Sequence, residues 1–204
     1  MRIMKFILTI SVICTAYIGD YVVFNSKLSN SQAFRAISDS LVHASLGLLS
    51  ALLFFSHDTN YSIDARVYNV IFCTIISTLI DIDHVFVARS IHLKDLTGLN
   101  KRGLFHCTTF WILITTILLT YSYLSKKLNI YVLTFMVVIA YTSHHLRDGN
   151  RRGIWLYPFG HSPALSKEAY IILLAVIPHI LAYLYSSFRV YFYKNTVVKY
   201  SVVV

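Results

Sequence analysis

The chain contains an apolar segment, residues 104–124, in which no Asp, Glu, Lys or Arg occurs. A segment of this length can cross the hydrocarbon core of a bilayer as one α-helix, because the core is about 30 Å thick and a helix rises about 1.5 Å per residue. Of all residues, 56% are hydrophobic and 13% are charged, whereas soluble domains carry about 25% charged residues. The sequence therefore predicts a membrane protein.

Further apolar segments flank this one on both sides. The complete set of predicted helices covers residues 4–24, 40–56, 67–90, 104–124, 128–146 and 169–188. The set predicts an all-α fold, a polytopic transmembrane bundle of five to six membrane helices, and the length allows one domain over residues 1–204. The first segment has two interpretations, because Arg2 and Lys5 before an apolar run also fit a cleaved signal peptide. Its apolar character continues to Phe24, which favours a retained helix.

The third segment predicts charges at membrane depth. Its uncharged part, residues 67–80, is too short to cross the hydrocarbon core as a helix. A crossing helix must therefore continue through Asp81, Asp83 and His84. Ionisable side chains inside a membrane are costly, so they usually face a cavity and have a function.

Polar clusters occur at the ends of four consecutive segments. Asp39 and His43 begin the second, Asp81, Asp83 and His84 end the third, Arg102 and His106 begin the fourth, and His144, His145 and Asp148 end the fifth. If each of these segments crosses the membrane once, all four clusters lie at the same membrane face. This result does not depend on the first segment.

Helical spacing favours a metal site at that face. Asp39 and His43 are four residues apart, as are His144 and Asp148, so each pair shares one side of a helix. Carboxylates and imidazoles are common ligands of zinc and manganese. We expect a divalent metal ion, zinc or manganese, within the helix bundle. The simpler account of the same residues is helix capping and a hydrogen-bonded polar core.

The net charge of +9 indicates contact with membrane lipids and anionic headgroups more than with nucleic acid, which we do not expect as a partner. The basic residues divide almost evenly between the two faces, so they leave the orientation open. Arg147 and Arg151 are expected to anchor helices at the headgroups. Arg102 and Arg152 fit either anchoring or recognition of a phosphate group.

Four stretches carry a resemblance to a known family. They are RAISDSLVHASLG, LIDIDHVFVA, RGLFHCTT and YTSHHLRDGNRRGIWLYPFG, within residues 34–180. They resemble the transmembrane protein 267 family of animals, which consists of uncharacterised multi-pass membrane proteins. The order of the motifs is more distantly similar to bacterial YdjM-like proteins, described as candidate membrane-bound metal-dependent hydrolases. One departure is Lys101-Arg102-Gly103, where the bacterial proteins tend to have His-Arg-Gly.

The resemblance implies that seven residues are metal or catalytic residues: His43, Asp81, Asp83, His84, His106, His144 and Asp148. We expect Asp81, Asp83, His84, His144 and Asp148 to bind the metal, His43, His106 and Arg102 to be catalytic, and Asp39 and His145 to support them. Because such a ligand set would lie near arginines at the headgroups, the expected activity is metal-dependent hydrolysis of a lipid ester or phosphodiester at one membrane face. Two alternatives remain open, a carrier that uses the Asp/His cluster as a proton path and a non-catalytic membrane protein with a polar core.

Overall fold

The computed structural model describes residues 2–57, 59–96, 99 and 101–192. Its α-helices are α1 (Arg2–Asp20), α2 (Gln32–Phe55), α3 (Ile63–Leu79), α4 (Asp83–Ala88), α5 (Leu93–Leu96), α6 (Thr108–Ser125), α7 (Leu128–Arg152) and α8 (Lys167–Phe192). Serine side chains cap two of the long helices. Ser31 accepts a hydrogen bond from the Phe34 N–H at the start of α2, and Ser62 accepts one from the Ala65 N–H at the start of α3.

The predicted fold class is confirmed. Five helical stretches are long and apolar enough to cross a membrane: Arg2–Asn25, Gln32–Phe55, Ile63–Ala88, Thr108–Ser125 and Lys167–Arg189. The structure places a helix on every predicted segment, but α2 begins earlier than residue 40 and α7 continues past residue 146 to Arg152. That residues 1–204 form a single domain stays a prediction.

Helix α7 lies at the centre of the bundle and contacts α2, α3, α6 and α8. Most of its side chains are buried, including Val132, Met136 and Ala140. One end of the bundle core is aromatic, with the ring of Tyr185 stacked on that of Tyr131. Because other helices surround α7, it can carry polar residues that a lipid-exposed helix could not.

The first helix is an integral part of this packing. Helix α1 contacts α2 and α8, and its Val12 and Ala16 side chains are fully buried. A Cβ atom at Gly19 would lie 2.8 Å from the Val42 side chain, so α1 and α2 are in close contact there. These contacts place α1 within the bundle, and the interpretation of the first segment as a retained helix stays a prediction.

The third predicted segment continues past its apolar part, as its length required. A 3₁₀ turn, Ile80–Ile82, joins α3 to α4. Asp81 and Asp83 lie two residues apart, so they point to different sides of the chain and to different neighbours. Helix α4 ends before Arg89, which adopts a left-handed conformation with φ of 50°. Asp81, Asp83 and His84 are thus carried by the end of one membrane-crossing unit.

Helices α2 and α3 meet at a glycine directly beside the polar cluster. A Cβ atom at Gly47 would lie 2.6 Å from the Ser77 Cβ atom, closer than two carbon atoms can pack. Ser77 also donates a hydrogen bond from its Oγ to the His43 carbonyl oxygen, at 2.9 Å. Small residues at such contacts let helix backbones approach closely in a membrane.

We expect Gly47→Val to lower the free energy of unfolding by about 1–3 kcal/mol, because the new side chain must push α2 away from α3. The measurement is thermal unfolding of the purified protein in detergent. Leu48→Val is the matched control, since Leu48 is the next residue of α2 and is 37% exposed. Equal losses of stability in both variants would contradict the close contact.

Candidate metal centre

Four donor atoms from three parts of the chain converge at one end of the bundle. The His106 Nε2 atom lies 3.4 Å from Asp81 Oδ1 and 3.4 Å from Asp148 Oδ2. The His144 Nε2 atom lies 3.4 Å from Asp81 Oδ1 and 3.6 Å from Asp148 Oδ2. The two Nε2 atoms are 3.4 Å apart. All four donor atoms lie within 4.8 Å of one another.

The other nitrogen of each imidazole ring determines what faces the cluster. The His144 Nδ1 atom is 2.8 Å from the Ser77 carbonyl oxygen, which can only accept, so Nδ1 carries a hydrogen. The His106 Nδ1 atom is 3.0 Å from Asp83 Oδ1, again an acceptor. In the neutral form of each ring, Nε2 therefore points a lone pair at the cluster. Four acceptors facing one another require a positive charge among them.

The turn before α6 holds His106 in place through Asp83. The Asp83 Oδ2 atom accepts hydrogen bonds from the backbone N–H groups of Phe105, at 2.9 Å, and His106, at 3.3 Å. A Cβ atom at Gly103 would lie 2.4 Å from the Asp83 carboxylate, so the backbone passes too close for any larger residue. Orientation of a ligand imidazole by a carboxylate on its second nitrogen is a common feature of zinc sites.

The spacing of the four donors fits a tetrahedral metal ion. Zinc binds imidazole nitrogen and carboxylate oxygen at about 2.0–2.2 Å, which sets neighbouring ligands of a tetrahedron about 3.3–3.6 Å apart. The five donor separations given above are 3.4–3.6 Å. Asp81, His106, His144 and Asp148 could therefore hold a metal ion with little movement.

The carboxylates make this location favourable for a cation. His106 lies in the turn before α6, outside the helices that can cross the membrane. Burial by itself lowers the pKa of His106, but hydrogen bonds with Asp148, Asp81 and Asp83 outweigh burial and raise it to about 11. The same field attracts a metal ion.

A second group of residues supports the four donors from the side of α2. The His43 ring stacks on the His144 ring, with centroids 3.8 Å apart. The His43 Nε2 atom accepts a hydrogen bond from Arg147 Nη1 at 2.9 Å, because a guanidinium can only donate. His43 is therefore held by Arg147 and does not join the four donors. Its predicted catalytic function stays a prediction.

Arg147 corrects one expectation from the sequence. It was expected at the headgroup level, but its side chain is fully buried. Its Nε donates to Asp20 Oδ1 at 3.0 Å, and its Nη1 lies 2.7 Å from Asp39 Oδ1. Asp20 also accepts a hydrogen bond from the Tyr170 hydroxyl. Arg147 thus ties α7 to α1 and α2, and α1 in turn to α8.

The remaining predicted site residues lie around the four donors. His84 stacks on His106, and its Nδ1 is 4.0 Å from Asp81 Oδ1; with Asp83 and His106 it forms a second group that could hold a metal. Both His145 nitrogens are engaged, with Thr108 Oγ1 and the Phe105 carbonyl oxygen at 2.9 Å each. His145 therefore fixes the turn that carries His106. The predicted ligand functions of Asp83 and His84 stay predictions.

A cavity of about 350 Å³ leads to the four donors. Asp81, His106 and Asp148 lie in its wall, together with Asp39 and His84. Arg102 also lines it and donates from Nη1 to the Gly153 carbonyl oxygen at 2.9 Å. Its predicted catalytic function stays a prediction.

Comparison with known proteins agrees with the resemblance found in the sequence. A family model described as the YdjM inner membrane protein matches residues 39–202, which include all four donor residues. The chain belongs to the YdjM family.

Curated relatives of this YdjM-family protein carry the name transmembrane protein 267. The mouse protein is 31% identical over 166 residues, which cover 77% of this chain and 72% of the mouse protein. The Xenopus laevis protein is 30% identical over 168 residues, which cover 80% and 75%. No solved structure matches the chain. Together with the five apolar helices, the family establishes a multi-pass membrane protein.

Sequence reasoning missed three residues that support the site. Asp20 binds Arg147 and accepts a hydrogen bond from Tyr170, and the backbone carbonyl of Ser77 holds His144. For Arg147 the sequence did offer a signal. It lies between His144 and Asp148 on one predicted helix, which indicates that it belongs to the same site. No sequence pattern marks a backbone carbonyl as a partner.

We expect Arg147→Met to lower the free energy of unfolding by about 3–5 kcal/mol, because it leaves Asp20 and Asp39 without their shared cation. Thermal unfolding in detergent measures the change. The control is Arg151→Met on the same helix, since the Arg151 side chain is 40% exposed and its removal should cost much less. Similar unfolding of both variants would show that the buried ion pairs do not stabilise the fold.

Proposed function

We propose that this protein is a metal-dependent hydrolase that acts on an ester or phosphodiester of a membrane lipid. The observation that carries the proposal is the convergence of four acceptor atoms, five of whose separations are 3.4–3.6 Å, beside a cavity whose wall includes Asp81, His106 and Asp148. Membrane lipids are the proposed partners, and we propose no nucleic-acid partner. Zinc is the favoured ion because the donor spacing is tetrahedral, and manganese is the alternative.

In the proposed site, Asp81, His106, His144 and Asp148 would bind the ion. Four protein donors fill a tetrahedral site, so a bound divalent ion would have to expand its coordination to five in order to polarise an ester or phosphoryl oxygen and lower the pKa of a water. Asp83 and the Ser77 carbonyl hold the two imidazoles with Nε2 facing inward. His43 and Arg147 fix the ring of His144 from behind.

His84 is placed for proton transfer in this proposal. It lines the cavity, and its side chain is 38% exposed, so it can meet both substrate and water. Its ring is held by stacking on His106, with centroids 5.0 Å apart. A histidine in this position can give a proton to the leaving alcohol. This assignment gives His84 a catalytic function in place of the ligand function that the sequence suggested.

The packing beneath the site favours hydrolysis over transport. Leu46, Leu53, Phe54, Met136 and Ile139 are each no more than 1% exposed, and they fill the core between the four donors and the opposite end of the bundle. A carrier needs access from both faces of the membrane. A cavity that opens beside an apolar core suits a substrate that enters and leaves at one face.

We expect detergent-purified protein to contain about one transition-metal ion per chain, and Asp81→Asn or His144→Gln to lower that content at least about tenfold, as loss of a ligand from a four-donor site does. Mass spectrometry of the metal content is the measurement. Asp95→Asn in the short helix α5 and His92→Gln just before it, both at exposed positions, are matched controls that should retain the metal.

Hydrolysis is then measured on mixed lipid vesicles with and without a chelator. Product that disappears with the chelator and returns with zinc or manganese supports the proposal. A folded wild-type protein without metal, or one whose ligand variants keep their metal, would overturn it. The site would then be a polar core held together by protonated histidines.

A further inference from the structure

The cavity carries more positive charge than its own carboxylates can balance. Five basic side chains line it, Arg35, Lys101, Arg102, Arg151 and Arg152, against three carboxylates, Asp39, Asp81 and Asp148. One carboxylate, Asp39, already forms an ion pair with buried Arg147. If Asp81 and Asp148 bind a divalent cation, the charges of that metal group cancel, and the basic side chains remain unbalanced.

Four of the basic side chains have no carboxylate partner within the described part of the chain. Arg151 pairs with Asp148, with Nη2 2.5 Å from Oδ1. Arg102 and Arg152 instead each donate one hydrogen bond to a backbone carbonyl, of Gly153 at 2.9 Å and of Leu99 at 3.1 Å. These bonds hold the two guanidinium groups in position and leave their other N–H groups available to an anion.

The pKa of Arg102 reflects this surplus. Burial is the largest cause that lowers the pKa of Arg102. The charge of Asp148 opposes this shift, and the charges of Arg152 and Arg151 add to it. A group whose positive charge is made unfavourable by burial and by neighbouring cations gains when an anion binds beside it. Oriented guanidinium groups suit the oxygen atoms of a phosphate in particular.

Another part of the lining is apolar. Val23, Phe24, Leu93, Leu96 and Leu99 form this part of the wall. Phe24 also fixes the basic side chains, because Arg151 and Arg35 lie over its ring at 4.7 Å and 5.9 Å from the centroid. A cavity with a cationic part and an apolar part fits an amphiphile with an anionic headgroup.

We propose that the cavity binds a lipid whose phosphate carries at least two negative charges, a terminal phosphomonoester or a diphosphate. This rests on the proposed function only in taking the metal group as neutral, and it favours a lipid with a terminal phosphate over the phosphodiester named there. An uncharged ester offers no partner to the basic side chains. A phosphodiester supplies one negative charge, whereas a phosphomonoester supplies about two at neutral pH and a diphosphate supplies more.

The test is calorimetric binding to the full-length, metal-loaded protein in detergent. The probes are short-chain phosphatidic acid, phosphatidylglycerol and phosphatidylcholine with the same acyl chains, and inorganic phosphate. We expect phosphatidic acid to bind at least about tenfold more tightly than either phosphodiester lipid, and more tightly than inorganic phosphate. Arg102→Gln combined with Arg152→Gln should weaken phosphatidic acid binding at least about tenfold, as the loss of two charge-assisted bonds implies.

The matched control combines Lys27→Gln with Arg66→Gln, an equal change in charge on exposed residues away from the cavity. Metal content is measured in every variant, and we expect it to be unchanged. Equal affinity for the three lipids, or unchanged phosphatidic acid affinity in the arginine variant, would overturn the proposal. Equal affinity for inorganic phosphate would overturn its lipid part. A wild-type protein that holds no metal would instead overturn the proposed hydrolase. The two failures are distinguishable, because calorimetry of the arginine variant measures phosphate binding separately from metal content.

Discussion

The buried guanidinium of Arg147 is the interaction on which the organisation of this end of the bundle depends. It contacts Asp20 of α1 and both Asp39 and His43 of α2. Burying a charge in a membrane protein is costly unless hydrogen bonds and opposite charges surround it. That requirement fixes the relative position of three helices at one depth. Two of the four metal-ligand candidates, His144 and Asp148, lie on the same helix, three residues before Arg147 and one residue after it, so its position also fixes theirs.

The arrangement around Arg147 also separates two kinds of charge. Asp20 and Asp39 neutralise the buried arginine, while Asp81 and Asp148 face the two imidazoles with no fixed cation between them. If Arg147 were absent, His43 would lose its donor and could turn toward Asp148, which lies 3.6 Å from its Nε2. The arginine thus holds His43 apart from the four donors, although Asp39, His43 and Asp81 form a further group that could hold a metal ion.

The sequence predicted that the four polar clusters lie at one face of the bundle, and helix topology alone was enough for that prediction. Segments that alternate in direction place their polar ends at one face, whatever their side chains do. The individual side-chain functions needed more than topology. Asp81 and Asp83 lie two residues apart, so helical spacing sends them to different sides, and they approach the two different nitrogens of His106. Nothing in the local sequence shows which of the two sides faces His144 and Asp148.

The depth of Arg147 was unpredictable for a related reason. Among the described helices that are long enough to cross a membrane, α7 alone is too polar to be recognised as a crossing helix by its composition. Read alone, its polar end suggests exposure at the headgroups. Its neighbours α2, α3, α6 and α8 shield it from lipid, and this shielding comes from segments far away in the sequence. The apolar residues that made five helices easy to recognise serve to enclose the sixth, and that enclosed helix supplies two of the four donors. Low hydropathy within an otherwise apolar bundle therefore indicates the functional helix. Two histidines, an arginine and an aspartate within two turns are tolerated only on a helix that has no lipid-facing side.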